Sequence, residues 1–251
     1  MPTRPPYSLR RAWRERRDVA ACASFVFDST VNLPFLSRLS LVERAYAASF
    51  TIDSPHTQEE ILTFVRTILS LPRDAPGVVV EAGCYKGSST AKFSHAVNAL
   101  GRELVVFDSF QGLPKNDEPH DYNIFGRPEN FKEGEYCGSL AEVKANVSRF
   151  GRIDCCRFVP GWFAETLRTF QTPVAAAYLD VDLASSTREC LKYLYPLLRV
   201  GGTLCTQDGH LPLVIEVLKD DDFWRREVGV CKPAMHGLGK QKLVTIVKEP
   251  A

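Results

Sequence analysis

Asp180 and Asp182 stand two residues apart in "LDVDLASST", and Asp208 ends the later apolar run "TLCTQDGH", between Gln207 and His210. In an extended chain, positions two apart share a side. If the two runs are neighbouring strands, their ends bring three carboxylates into one small volume. Such a group repels itself unless a cation or protons intervene. Hard oxygen ligands with room left for water suit magnesium rather than zinc. A plainer reading stands beside this one: these are solvated loop acids, and Asp182 or Ser185 caps the helix that follows.

A second chemical stretch is "VVVEAGCYKGSST", in which Glu81, Gly83 and Gly87 give E-x-G-x-x-x-G at the end of an apolar run. Glycines there let the backbone turn sharply and approach a bound molecule closely. A phosphate-binding P-loop needs Gly-Lys-Ser/Thr, and "KGSS" has the order wrong; a dinucleotide fingerprint needs G-x-G-x-x-G. An acid ahead of the glycines disfavours phosphate and favours a cationic or hydroxyl-rich ligand. The next apolar run, "LVVFDS", ends in Asp108, where α/β nucleotide folds bond ribose hydroxyls. A ribose and an amino group without phosphate describe S-adenosylmethionine. The alternative is a purely structural glycine turn.

The elements that would position these residues alternate along the chain. Strands are expected at "VVVEAG", "LVVFDS", "CRFVP", "VAAAYLDVD", "GTLCTQD" and "KLVTIVK". Between them run helical patterns: Phe93, Ala96, Val97 and Leu100; Leu140, Val143 and Val147 behind a Ser139/Glu142 cap; and "STRECLKYLYPLLRVGG", which Pro196 must kink or end. A short helix, "LPLVIEVLKD", precedes the last strand. Ahead of them, Thr57 and Glu60 form a capping box for a helix with an apolar stripe of Ile61, Leu62, Val65, Ile68 and Leu69, closed by Pro72. Strands apolar throughout and alternating with helices imply a mostly parallel sheet covered on both faces. Ligands of such sheets lie outside the carboxyl ends of the strands.

Composition narrows the partners. A chain of 251 residues is 45% hydrophobic and 24% charged with a formal net charge of +1, which gives no basic footprint for nucleic acid. No apolar run approaches membrane-spanning length. The Arg-rich start lacks the apolar core of a secretory signal, and Glu15 and Asp18 weaken a mitochondrial presequence. Eight cysteines without metal-ligand spacing read as free, mostly buried thiols in a reducing cytoplasm.

The segments "VVEAGCYKGSST", "VVFDSFQGLP", "RFVPGWFAETL" and "LDVDLASSTRECLKYLYPLLRVGGTLCTQD" together resemble the TylF-type macrocin O-methyltransferase family, over about residues 50–225. The resemblance implies an α/β fold, a Rossmann-like class I methyltransferase sandwich over 51–251 with a mostly parallel, seven-stranded sheet and helices on both faces; residues 1–50, basic and then aromatic and apolar, read from their own composition as a helical N-terminal segment ahead of it. It implies S-adenosylmethionine as cofactor, magnesium assistance, a small-molecule hydroxyl acceptor (sugar or phenol) and a homodimer. Carried over, Glu81, Gly83, Gly87 and Ser88 hold the methionine end, with Tyr85 and Asp180 also binding the cofactor. Asp108 holds the ribose with Ser109 and Phe110 nearby, and Trp162 lies near the adenine. Asp180, Gln207 and Asp208 stand at metal-ligand positions, Asp182 at that of the general base. The chain departs from the family at Gln207, where an acid is usual, and at Ala184 and Ser185, where tyrosine and glutamate are usual. Weaker metal binding is expected, or a metal-independent variant in which Asp182 or His210 handles the proton. These departures keep open a cofactor-binding module without transferase activity. A nicotinamide-dependent reductase fits the topology but not the missing glycine fingerprint.

Residues 111–137 are too long for an ordinary connection and read as a functional cover or a solvated excursion, with Tyr122, Phe125, Phe131 and Tyr136 among acids. Phe25, Phe27, Phe35 and Phe50 of the N-terminal segment are expected to pack on the domain, join the cover or form a dimer contact. His56, His95 and His236 read as structural.

Overall fold

The computed structural model describes residues 16–250. They fall into two compact units: one of residues up to Arg73 with Cys84–Leu104 and Gly138–Arg157, the other of Asp74–Gly83, Val105–Cys137 and the chain from Phe158 onward.

The first unit is helical: α1 (Arg16–Phe27), α2 (Phe35–Thr51), α3 (Gln58–Leu69), α4 (Ser88–Ala99) and α5 (Leu140–Phe150). The expected capping box opens α3: the Thr57 side chain accepts the Glu60 N–H, and the Glu60 carboxylate accepts the Thr57 N–H. That leaves the apolar stripe free to bury, and Ile61, Leu62, Val65, Ile68 and Leu69 are all buried. Phe64 meets Phe93 of α4 edge-on at 4.9 Å. Ser139 caps α5 by accepting from Glu142 N–H, as its spacing predicts. Of the N-terminal aromatics, Phe25 is buried while Phe27, Phe35 and Phe50 are exposed.

The second unit carries the sheet, the unit boundary falling just inside β2 and β3. Its strands are β1 (Val78–Ala82), β2 (Leu104–Asp108), β3 (Cys156–Pro160), β4 (Val174–Leu179), β5 (Leu198–Thr206) and β6 (Val244–Val247), in the order β3-β2-β1-β4-β5-β6. β1, β4 and β5 run parallel, with Ala82 opposite Leu179 and Leu179 opposite Thr206; β6 is antiparallel to β5. Every residue of β2 and β4 is buried, as strands without polar alternation require. Helices α6 (Phe163–Thr166), α7 (Ala184–Leu197) and α8 (Pro212–Lys219) belong to this unit. Leu191 and Leu194 of α7 and Val214 and Leu218 of α8 share one apolar core with Val80, Phe107, Leu179 and Trp224.

Two details differ from expectation. Among the described residues the sheet has six strands, not seven: between α8 and β6 the chain makes only a single bridge, His236 to Thr245. Pro233 before that bridge, and Gly237 and Gly239 at φ +88° and +68° after it, stop the ladder from extending. β5 begins at Leu198, directly after α7, and a register shift absorbs the residues up to Gly202. Pro196 stands next to the last residue of α7 and ends it, one of its two expected effects. No helix among the described residues is long and apolar enough to cross a membrane.

Candidate active site

The carboxyl ends of five strands lie level, because hydrogen bonds continue one residue past each strand. Gly161 N–H donates to Asp108 O (3.0 Å), Gly83 N–H to Phe107 O (2.9 Å), Asp180 N–H to Ala82 O (2.9 Å) and Gln207 N–H to Leu179 O (2.8 Å). The ends of β3, β2, β1, β4 and β5 are thus stitched side by side. Glu81, Asp108, Asp180 and Asp208 issue from that one edge.

The three aspartates come together as their spacing predicts. One carboxylate oxygen from each of Asp180, Asp182 and Asp208 lies within 4.8 Å of the others. Asp208 is built into the chain on the β4 side, its Oδ2 accepting from Val181 N–H (3.0 Å) and Asp182 N–H (3.1 Å). Asp182 sits at φ +58°, and Leu183 N–H bonds back to Val181 O across it at 2.6 Å. This tight three-residue turn is strained for a side-chain-bearing residue. The strain and the repulsion are borne together. Burial, and then the Asp208 and Asp180 charges, push the Asp182 carboxyl well above the usual range. Burial and Asp180 push Asp208 up to about 7, against the pull of its two backbone donors and Lys242. Carboxylates crowded this way favour either protons or a hard cation.

The glycine turn is equally constrained. Gly83 adopts φ +83°, and a Cβ there would lie 2.0 Å from the carbonyl oxygen of Asp180. Only glycine lets β1 leave the sheet beside β4. The Asp108 carboxylate is held by Phe110 N–H at 2.7 Å, while Ser109 Oγ accepts from Gln111 N–H and donates to Gly112 O. Phe110 takes φ +56°, and a Cβ on Gly112 would meet Glu135 O at 2.5 Å, which accounts for the glycine that closes "DSFQG". Trp162 is half-buried two residues past β3, its carbonyl accepting from Glu165 and Thr166. Tyr85, Gly87 and Ser88 belong to the helical unit. There Tyr85 donates to Asp53 (3.2 Å), a Gly87 Cβ would press on Val143 of α5 at 3.0 Å, and Ser88 is buried in the first turn of α4.

Two expected residues lie in surroundings that change what they can do. The Gln207 side chain is buried, and its Oε1 already accepts the Tyr178 hydroxyl at 3.0 Å. His210 is pushed down to about 4 by burial and by the Lys242 charge, so it is neutral and a weak base. Sequence reasoning passed over Glu118 and Lys242. Neither Asp182 nor Ser185 caps α7; Glu118 does so from the long loop, accepting from Ala184 N–H and Ser185 N–H, both at 2.8 Å, and pairing with His120 at 3.0 Å. Burial alone would raise that carboxyl, but bonds from Ser185, Ala184 and His120 outweigh it and hold it below the usual range. Lys242, just before β6, is the cation acting on Asp182 and Asp208. Its one sequence signal is the basic "GKQK" ahead of a strand paired to β5.

Comparison with known proteins identifies the family. Residues 59–236 match the family model described as Macrocin-O-methyltransferase (TylF). The chain is 27% identical over 218 residues to a mycinamicin III 3''-O-methyltransferase of Micromonospora griseorubida, covering 71% of this chain and 85% of that protein. It is 32% identical over 176 residues to the 8-demethyl-8-(2,3-dimethoxy-alpha-L-rhamnosyl)-tetracenomycin-C 4'-O-methyltransferase of Streptomyces olivaceus, covering 67% of this chain and 65% of that one. Among solved structures, the O-methyltransferase NovP shares the fold with a TM-score of 0.63 at 18% identity, over 94% of this chain and 99% of that one. The calicheamicin methyltransferase CalS11 does so with a TM-score of 0.57 at 18% identity, over 96% and 93%. The chain belongs to the macrocin O-methyltransferase (TylF) family and is an S-adenosylmethionine-dependent O-methyltransferase.

Proposed function

We propose that the enzyme methylates a sugar hydroxyl of a glycosylated natural product, with Asp182 as general base and a divalent cation held by the aspartate cluster. The observation that carries this reading is the cluster itself: three carboxylates at level strand ends, two with raised proton affinity. A rhamnosyl compound in the name of the Streptomyces relative supports a sugar acceptor.

S-adenosylmethionine supplies the methyl group as a sulfonium. Glu81 and the Gly83 turn would face its amino-acid end and Asp108, fixed by Phe110 N–H, its ribose. Phe110 and Trp162 would border the base. Asp180 and Asp208 would hold the metal, whose contribution when bound is to acidify and orient the acceptor hydroxyl. Gln207 is left out of this ligand set because its carbonyl oxygen is engaged by Tyr178. Asp182 takes the hydroxyl proton as the O–CH3 bond forms, and neutral His210 is too weak a base to compete. Incubating the enzyme with S-adenosylmethionine and rhamnosides should release S-adenosylhomocysteine and yield a methyl ether on the sugar. Methylation confined to the aglycone, or to free phenols and catechols, contradicts the sugar assignment.

The metal reading has its own check. A cation must displace the protons the cluster holds, so its affinity rises with pH. In chelator-treated protein, magnesium at about ten times its dissociation constant should raise the melting temperature by about 3–6 °C at pH 8. The gain should shrink towards pH 6, below the value of about 7 for Asp208. An equal shift at both pH values, or none at pH 8, contradicts a metal on these carboxylates.

A further inference from the structure

We propose that the hairpin tip Ile124–Phe125, backed by His210, is an acceptor subsite that takes the apolar ring system joined to the sugar being methylated. This rests on the sugar-methylating reading above and adds what that reading leaves out, the determinant that selects the acceptor.

The long loop is not a slack excursion at this point. Tyr122 and Pro128 form an antiparallel bridge, closing a small hairpin around Asn123–Arg127. Asn123 is buried and holds the turn from inside: its Oδ1 accepts from Phe125 N–H (2.9 Å) and Arg127 N–H (3.2 Å), and its Nδ2 donates to Glu129 Oε1. The tip is fastened beside the acids by Ile124 N–H donating to His210 O at 3.0 Å. His210 follows Asp208 by two residues, and Glu129 lies within electrostatic reach of Asp182.

This fixed turn keeps its apolar side chains in water. Phe125 is 53% exposed, Tyr122 56% and Ile124 39%. A pliable loop would fold such groups inward; a hydrogen-bonded hairpin cannot, and exposed apolar surface held rigidly beside a reaction centre is suited to a ligand. Beneath the tip, the His210 ring stacks on Phe125 with centroids 6.2 Å apart and planes 25° apart. His210 is itself only 8% exposed, so it supports the Phe125 ring from within the fold. The chemistry on offer is an apolar platform, which fits the ring joined to a sugar better than a free monosaccharide.

The test uses the full chain loaded with S-adenosylhomocysteine and two probes, methyl α-L-rhamnopyranoside and phenyl α-L-rhamnopyranoside, followed by saturation-transfer NMR. The phenyl probe should bind about 10-fold more tightly than the methyl probe. In Phe125→Ala that advantage should fall below about twofold, and Phe125→Tyr should restore it, with S-adenosylhomocysteine affinity constant throughout. An advantage that survives in Phe125→Ala, or equal or absent binding of the two probes by the wild type, overturns the subsite. If S-adenosylhomocysteine still binds in that case, only this inference fails; if it does not bind, the methyltransferase site fails and takes the subsite with it. A change of oligomeric state in Phe125→Ala by light scattering assigns the tip to a contact between chains and equally overturns the proposal.

Discussion

Asp182→Asn is expected to lower turnover by about 10²–10⁴-fold while leaving S-adenosylhomocysteine affinity within about twofold. Asparagine is nearly isosteric and tolerates the left-handed region, so the turn at φ +58° should persist. What is lost is the proton acceptor. The same substitution removes one of three crowded charges, and stability reports that separately. Asp208 titrates at about 7 in the folded protein, against about 3.9 for an unfolded aspartate. The folded state therefore holds protons the unfolded chain has released, and this contribution is full below the unfolded value and lost as pH rises through about 7. His210, pushed down to about 4, acts in the opposite sense, but only below its unfolded value of about 6.5. Without divalent cation, wild-type melting should decline between pH 6.5 and 8, and Asp182→Asn should decline less. Undiminished turnover would remove Asp182 from the proposed chemistry. An equally steep decline in the variant would contradict the mutual repulsion.

Gly83→Ala carries the largest expected structural effect. A left-handed backbone costs an L-residue about 1–2 kcal/mol, and overpacking adds about 1–3 kcal/mol. Here the obstruction is backbone, the Asp180 carbonyl carbon and oxygen, which cannot rotate away. Nor can either strand shift, since Gly83 N–H is bonded to Phe107 and Asp180 N–H to Ala82. Thermal melting should fall by about 4–20 °C, at roughly 2–4 °C per kcal/mol for a chain of this size, with S-adenosylhomocysteine binding lost because the Glu81 and Asp180 edges are forced apart. A variant melting within a degree or two of wild type would contradict the close approach of β1 and β4.

What was legible in the sequence is what local pattern controls. Unbroken apolar runs located the strands, and an acid or glycine at the end of each located the site edge, because parallel strands deliver their carboxyl ends together. The capping residues Thr57 and Ser139 were readable for the same reason, each partner lying three positions away. What escaped depends on pairs distant in the chain. Tyr178 engages Gln207 across 29 positions, and Glu118 caps α7 from 66 positions upstream of Ala184. No periodicity encodes either contact. The reduced strand before β6 was hidden because the resemblance supplied the count of seven, while Pro233, Gly237 and Gly239 argued against it locally. The hairpin inside residues 111–137 did leave a signal: "NIFG", an asparagine that bonds its own turn and a glycine at φ +72°.

The most direct measurement is a calorimetric titration of S-adenosylhomocysteine into the wild-type chain. Saturable heat at one molecule per chain, with a dissociation constant on the order of 1–100 µM, is the predicted result. Heat no different from dilution into buffer would mean that five level strand ends do not make a nucleoside site, and would contradict the account at its base.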